Sequence, residues 1–306
     1  MKSHQNLKGS LILCTAALIW GLAFVAQSDA ADRIPPFLVN SLRSLIAALF
    51  LFGFCLVQKH RTKQPILPSD PTQRKHALLA GLICGVLLTV SVNFQQFGLA
   101  LYPEGAAAEA RAGFLTALYV ILVPLFSVFI GKRPSLPLLV SVGVAVVGIY
   151  LLCLSGGINS VYLGDLLVLL CAVSLSFHIL AVDRYGGAVG GVQLSMLQFL
   201  VCGLLSAILS LIFEDTTWSS VLAATPQILY LGIVSSGIGY TLQIIGQKFA
   251  EPTVASLSMS LESVFAALGG WLIAGNVLET REIFGCVLVF AAIVLAQLPT
   301  KAKKPR

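Results

Sequence analysis

The chain has 306 residues, of which 57% are hydrophobic and only 10% charged. Charged residues make up about 25% of an ordinary globular chain, so a mean hydropathy of +0.92 excludes a soluble fold and points to segments that never meet water. The net charge of +6 is scattered over short segments without an aromatic-rich polar surface, which argues against nucleic acid as a partner.

At about 20 apolar residues per bilayer crossing, ten spans are predicted, near 8–28, 36–57, 76–100, 106–130, 136–154, 164–183, 191–213, 226–247, 253–275 and 282–298. The first follows Lys2 and Lys8 and ends in Ala26-Gln27-Ser28-Asp29-Ala30, which is similar to a signal-peptide cleavage site. Its apolar run is long for a signal peptide, and its removal would leave nine spans and break the repeat described below, so it is read as a retained helix carrying Trp20. Pro36 opens span two, as Pro137, Pro226 and Pro252 open spans five, eight and nine, in the first turn where proline is tolerated. Span two holds Arg43, expected to anchor the helix through a pairing. Span three has a Gly81/Gly85 pair suited to close helix contact, and Gln95. Span four has Arg111, Tyr119 and Pro124, the last marking a kink available to gating. Span six carries His178, and span eight carries Tyr240, Gln243 and Gln247 on one helical face. Span nine carries Glu262 and a small-residue pair, Ala266 and Gly270. The seven cysteines lie singly in apolar runs without CxxC spacing and read as core residues, implying neither disulfides nor metal.

With the amino terminus in the cytoplasm, most Lys and Arg residues fall on that side, among them Lys59, Arg61, Lys63, Arg74, Lys75, Lys132, Arg133 and Arg184. The opposite loops keep Arg33 and Arg281 and collect acids such as Asp29, Asp32, Glu104, Glu214 and Asp215. Both termini are therefore expected in the cytoplasm, with the protein multi-pass in the plasma (inner) membrane.

The chain also resembles itself. Gln95 and Gly98 of span three lie over Gln243 and Gly246 of span eight, and Gly9-Ser10-Leu11 of span one lies over Gly164-Asp165-Leu166 of span six. Laying Ala112 on Ala255 sets Tyr119 opposite Glu262. Because five crossings is an odd number, the second copy must run through the membrane in the opposite sense. The expected fold is all-α integral membrane, ten transmembrane helices as two inverted five-helix repeats, 8–154 and 164–298, with a basic tail at 299–306. Inverted repeats of this kind are common in secondary transporters.

The segment from Ala112-Gly113-Phe114-Leu115-Thr116 to Pro124, followed by Gly131-Lys132-Arg133-Pro134-Ser135, resembles the fourth helix of the drug/metabolite transporter superfamily, EamA type. Leu242-Gln243-Ile244-Ile245-Gly246-Gln247 leading into Ser260-Leu261-Glu262-Ser263 is similar to the matching part of that family's second half. The resemblance covers essentially the whole chain and implies export or exchange of amino acids, other metabolites or toxic compounds through a central cavity lined by helices one, three, four, six, eight and nine. It departs from the family after helices four and nine, where a Gly-Glu pair is replaced by Gly131-Lys132 and Gly275-Asn276, so no role of those glutamates carries over.

An ionised group at mid-membrane costs about 2.5–3.5 kcal/mol on insertion scales, so each must find a partner, a water-filled cavity or a proton. Glu262, roughly 14 Å into its span, is the leading candidate for substrate or proton binding. Gln95, Gln243, Tyr119, Tyr240, Trp20, His178 and Arg111 complete the expected substrate-binding set, each with a packing or pairing role as the alternative. There is no Walker A loop, HExxH or GxSxG, and no clustered His or Cys. No cofactor, metal or enzymatic activity is expected. The expectation is a secondary transporter, an exporter by resemblance, of small metabolites such as amino acids, with protons as a candidate coupling ion. The competing class is a non-transport membrane protein, either an embedded enzyme or an assembly factor.

Overall fold

A computed structural model describes residues 2–63, 65–126, 136–151, 161–185, 190–247, 249 and 252–296. The basic tail and the Gly131–Ser135 motif lie outside the described residues, as does the side chain of Pro124. Among the described residues the chain is helical: α1 (Lys2–Ala31), α2 (Pro36–Thr62), α3 (Pro71–Ala100), α4 (Ala108–Thr116), α5 (Tyr119–Phe126), α6 (Leu136–Ile149), α7 (Leu163–Tyr185), α8 (Gly191–Phe213), α9 (Trp218–Ala223), α10 (Thr225–Leu229), a π-helical segment (Tyr230–Gly239), α11 (Tyr240–Gln247), α12 (Pro252–Leu272) and α13 (Thr280–Ala296). Six stretches among them are long and apolar enough to cross a membrane, 8–31, 36–62, 71–100, 163–182, 191–213 and 225–247. The other four expected passes run through α4 with α5, α6, α12 and α13.

Sequence explains several of the ends. Asp70 caps α3 by accepting from Gln73 N at 2.8 Å, with Pro71 in the first turn. Pro36 lies in the first turn of α2, where Pro35 offers no side-chain cap. The carboxylate of Glu214, just beyond α8, instead accepts from Phe37 N at 2.7 Å and Leu38 N at 2.9 Å. An acid there satisfies orphan amides and complements the helix dipole.

Helices of one half pack chiefly on helices of the other, α2 on α8, α1 on α12, α3 on α7 and α6 on α13. Adding five to each pass number of the first half, and subtracting five in the second, maps these pairings onto one another. The α3–α7 contact becomes that of the eighth pass with α1, and α3–α8 becomes the eighth pass with α2. The exchange holds at single residues. A methyl on Gly98 would meet Val168 Cγ2 at 2.6 Å, and a methyl on Gly246 would meet Leu13 Cγ at 2.7 Å. Those are the same two positions in the register of the repeat. The Gly81/Gly85 pair also makes its expected close contact, on Leu197 and Val201 of α8.

The outward faces are apolar, with Leu49, Phe52 and Phe54 of α2 and Leu204, Ile208 and Leu211 of α8 exposed. Hydrocarbon is the solvent that such faces require, and helices that satisfy their own backbone groups are what it permits.

Two passes depart from regular α-helix. The fourth is interrupted at Ala117–Leu118, where Val120 N and Ile121 N bond back three residues, to Ala117 O and Leu118 O. The break lies upstream of Pro124, the expected kink. The eighth becomes π-helical for ten residues. Its glycines accept close neighbours: Gly232 faces Ile46 and the Arg43 carbonyl, Gly237 faces Phe50, and Gly239 faces the Trp20 indole. A π segment wider than an α-helix reaches further into a bundle, and such segments are frequent at functional sites.

Candidate functional site

Both irregular passes border a cavity at the centre of the bundle. Its lining includes Trp20, Gln27, Arg43, Gln95, Thr116, Tyr119, His178, Phe199, Ser235, Ser236, Tyr240, Gln243 and Glu262. Seven of the eight expected site residues are in that lining: Glu262, Gln95, Gln243, Tyr119, Tyr240, Trp20 and His178. They come from passes one, three, four, six, eight and nine, with Arg43 and Phe199 added from two and seven. The repeat register pairs several positions across the space, Gln95 with Gln243 and Tyr119 with Glu262.

The cavity measures about 50 Å³. At roughly 10–15 Å³ for one water centre, it has room for a few waters and none for a metabolite. A larger cavity of about 480 Å³ lies between α12 and α13, lined by Phe114, Leu268, Trp271, Ile283 and Phe290 among others. It is almost wholly apolar and lacks the convergent polar groups of a solute site.

Position by position, the central lining is held from outside. Counting from Pro252, Glu262 sits about 15 Å along α12, near its middle. The Tyr119 phenol interacts with its carboxyl, yet Oε1 has no hydrogen-bond partner. Trp20 donates from Nε1 to the Ser235 carbonyl at 3.2 Å, and its ring lies 4.9 Å from that of Tyr240. Gln95 donates from Nε2 to Thr116 Oγ1 at 3.2 Å. His178 Nε2 pairs with Gln198 Oε1 at 3.0 Å, leaving Nδ1 buried without a partner. Arg43 donates from Nη1 to Gln27 Oε1 at 2.8 Å, and its Nε has no partner. Gln247, expected on the Tyr240/Gln243 face, instead reaches the Met259 sulfur at 3.9 Å.

Arg111 lies elsewhere. It grips Asp165 with two parallel bonds, Nε to Oδ1 at 3.1 Å and Nη2 to Oδ2 at 2.8 Å, while Nη1 reaches Glu282 at 3.4 Å. Tyr102 OH and Tyr162 N also donate to Asp165, and the guanidinium lies 4.8 Å above the Tyr162 ring. This buried network ties α4, α7, α13 and the end of α3 together at one end of the bundle. A guanidinium so engaged has its charge neutralised in place, which removes Arg111 from the cavity lining. Glu109, on the same helix, accepts from Asn276.

The sequence reading did not select Gln27, Thr116, Ser235 or Ser236, and it gave Arg43 a structural pairing. The cluster Ser235-Ser236-Gly237-Ile238-Gly239 was the available signal, since two serines and two glycines in five residues favour neither α-helix nor a lipid face.

Fold and site define a multi-pass helical membrane protein with a small cavity at its centre, lined by polar and aromatic side chains from several passes. A protein-family model of EamA-like transporters matches residues 7–154 and again 162–298, and the chain belongs to that family. It is 27% identical over 295 residues to an uncharacterized transporter of Archaeoglobus fulgidus, spanning 96% of this chain and 87% of that one. It is 23% identical over 289 residues to the uncharacterized inner membrane transporter YedA of Escherichia coli, spanning 92% and 88%. A protein of known crystal structure shares the fold with a TM-score of 0.67 at 23% identity, over 95% of this chain and 96% of that one.

Proposed function

We propose that the protein is a secondary transporter of small, moderately polar metabolites, working as an exporter by alternating access, with the halves 8–154 and 164–298 rocking about the central cavity. The observation that carries this reading is the buried, unpartnered Glu262 Oε1 in a chamber whose polar lining comes from both halves. An uncompensated acid at that depth is costly and is retained where a ligand or proton completes it. A small central cavity lined from both halves accords with a carrier whose cavity opens to one side at a time. The charge distribution supports termini in the cytoplasm of a cell whose plasma (inner) membrane holds the protein. In that orientation the Arg111–Asp165 network closes the outer end.

The test is counterflow into proteoliposomes against a panel of labelled metabolites, with and without an imposed pH gradient. Wild-type protein is expected to exchange at least one panel member. Glu262→Ala is expected to lower that flux by 10-fold or more, because it empties the mid-depth acid. Glu262→Gln keeps the shape and reads the coupling: activity that has lost its dependence on the pH gradient assigns the proton to Glu262. Full activity in Glu262→Ala would overturn the site, and no flux from folded wild-type protein would overturn the transporter reading.

A further inference from the structure

The connection between α2 and α3 gathers charge of one sign. Lys59, Arg61 and Lys63 close α2, Arg74 and Lys75 follow Pro71 in α3, and all five side chains are exposed. None of them forms an ion pair among the described residues. The one acid of the stretch, Asp70, is taken up in capping α3 through Gln73 N. Cations in the last turn of a helix complement its dipole, which accounts for those on α2. Arg74 and Lys75 stand near the positive end of α3, where the dipole favours acids, and that account does not extend to them.

Topology alone would gather lysine and arginine on one side of a membrane. It would not set a groove beside them. A groove of about 580 Å³ is lined by Phe52 of α2, Ile66 and Leu67 of the connection, Met196 of α8, and Arg74. Ile66 and Leu67 pack back on the buried cluster that contains Leu51, Cys55 and Met196, which fixes the connection against the bundle. Phe52 lies roughly 15 Å along α2 from its end at Thr62 and is exposed on the apolar outer surface. The groove therefore joins the charged connection to a point well inside the apolar span. We propose that it holds an anionic phospholipid, the phosphate on Arg74 and Lys75 and an acyl chain along Ile66 and Leu67 toward Phe52. Clusters of four to eight Lys and Arg beside a membrane-spanning helix attract anionic headgroups, and a guanidinium fork matches phosphate oxygens. A choline or ethanolamine headgroup would bring a further cation into this cluster, so the site selects against zwitterionic lipids.

The experiment titrates the full-length protein, purified in detergent, with phosphatidylglycerol, with phosphatidylcholine of the same chains and with glycerol 3-phosphate, and follows the thermal transition. Wild-type protein is expected to be stabilised by phosphatidylglycerol at a concentration at least 10-fold below that of phosphatidylcholine, and not by glycerol 3-phosphate, which lacks the chains. Arg74→Gln with Lys75→Gln is expected to raise the required phosphatidylglycerol about 20-fold, at roughly fivefold for each cation near the headgroups. Arg184→Gln, an exposed cation in the last turn of α7, is the control and is expected to stay within twofold. The substituted side chains are exposed, so the lipid-free transition of each variant is expected to match the wild type. Equal action of the two lipids on wild-type protein overturns the proposal, as does undiminished phosphatidylglycerol binding in the double variant. Equal stabilisation by glycerol 3-phosphate would assign the cations to free phosphate and remove the groove. An equal loss in Arg184→Gln would reduce the effect to diffuse attraction between charged surfaces, with no site. The readout is binding, so it is independent of any transport result.

Discussion

Replacing Asp165 with alanine is expected to destabilise the protein by about 3–5 kcal/mol, the cost of stranding one member of a buried ion pair. Asp165 accepts from Arg111 twice, from Tyr102 and from the backbone of Tyr162, so one substitution strips four donors together. Glu282 offers Arg111 only a longer bond of 3.4 Å, and its other oxygen already accepts from Glu279 N, so it cannot replace the fork. Thermal unfolding of the purified protein checks the loss. The companion Arg111→Met with Asp165→Leu removes both charges and is expected to recover most of the stability, because well-packed apolar replacements of buried pairs are often neutral. An unchanged transition in Asp165→Ala would show that the cluster is solvated and that its geometry carries no weight. The double variant is also expected to shift transport, since the network must part if α4 and α7 separate at that end.

The two arginines show what a sequence can and cannot convey. Hydropathy places both several residues inside a span, yet Arg43 lines the central cavity while Arg111 joins a network at one end of the bundle. Azimuth around the helix follows from what packs against it. The decisive partner of Arg111, Asp165, sat at the predicted edge of span six, where an acid reads as a loop residue. Once α7 packs on α3, that edge is buried and the acid faces α4. Arg43 met no such carboxylate among the described residues; its pairing is with the neutral Gln27 amide on α1, and its guanidinium lines the cavity.

Where the repeat supplied a second copy, sequence reached further. Gln95 with Gln243, and Tyr119 with Glu262, were matched by register alone, and both pairs line one cavity. The π segment was beyond reach, since hydrophobic periodicity over ten residues does not separate an α-helix from a π-helix when the surroundings choose. Its contacts with Ile46, Phe50 and Trp20 make that choice, and they bring Ser235 and Ser236 to the cavity. The fold was therefore legible from hydropathy, proline placement and duplication, whereas the lining depended on how irregular passes meet regular ones.

That dependence makes Gly21 the position where packing and transport are most tightly joined. A methyl there would lie 2.3 Å from Phe265 Cβ, 2.8 Å from the Phe265 carbonyl carbon and 2.9 Å from Ala266 N. Backbone atoms cannot rotate away, so α1 and α12 must move apart. Trp20 and Glu262 ride on those two helices and face one cavity, so separation shifts one wall of the site against the other. Gly21→Ala is expected to cost about 1–3 kcal/mol of overpacking and to reduce flux by 10-fold or more, as sub-ångström positioning of the site is lost. Gly53→Ala on the exposed face of α2 is the control, with nothing within 4 Å of the added methyl. It is expected to be neutral or to gain about 0.5–1 kcal/mol in helix stability. Thermal unfolding and counterflow measured on both proteins separate the effects: a lower transition and lost flux in Gly21→Ala alone locate the α1–α12 contact in the transport cycle. Wild-type flux in Gly21→Ala would mean that the two helices part at this point without disturbing the cavity.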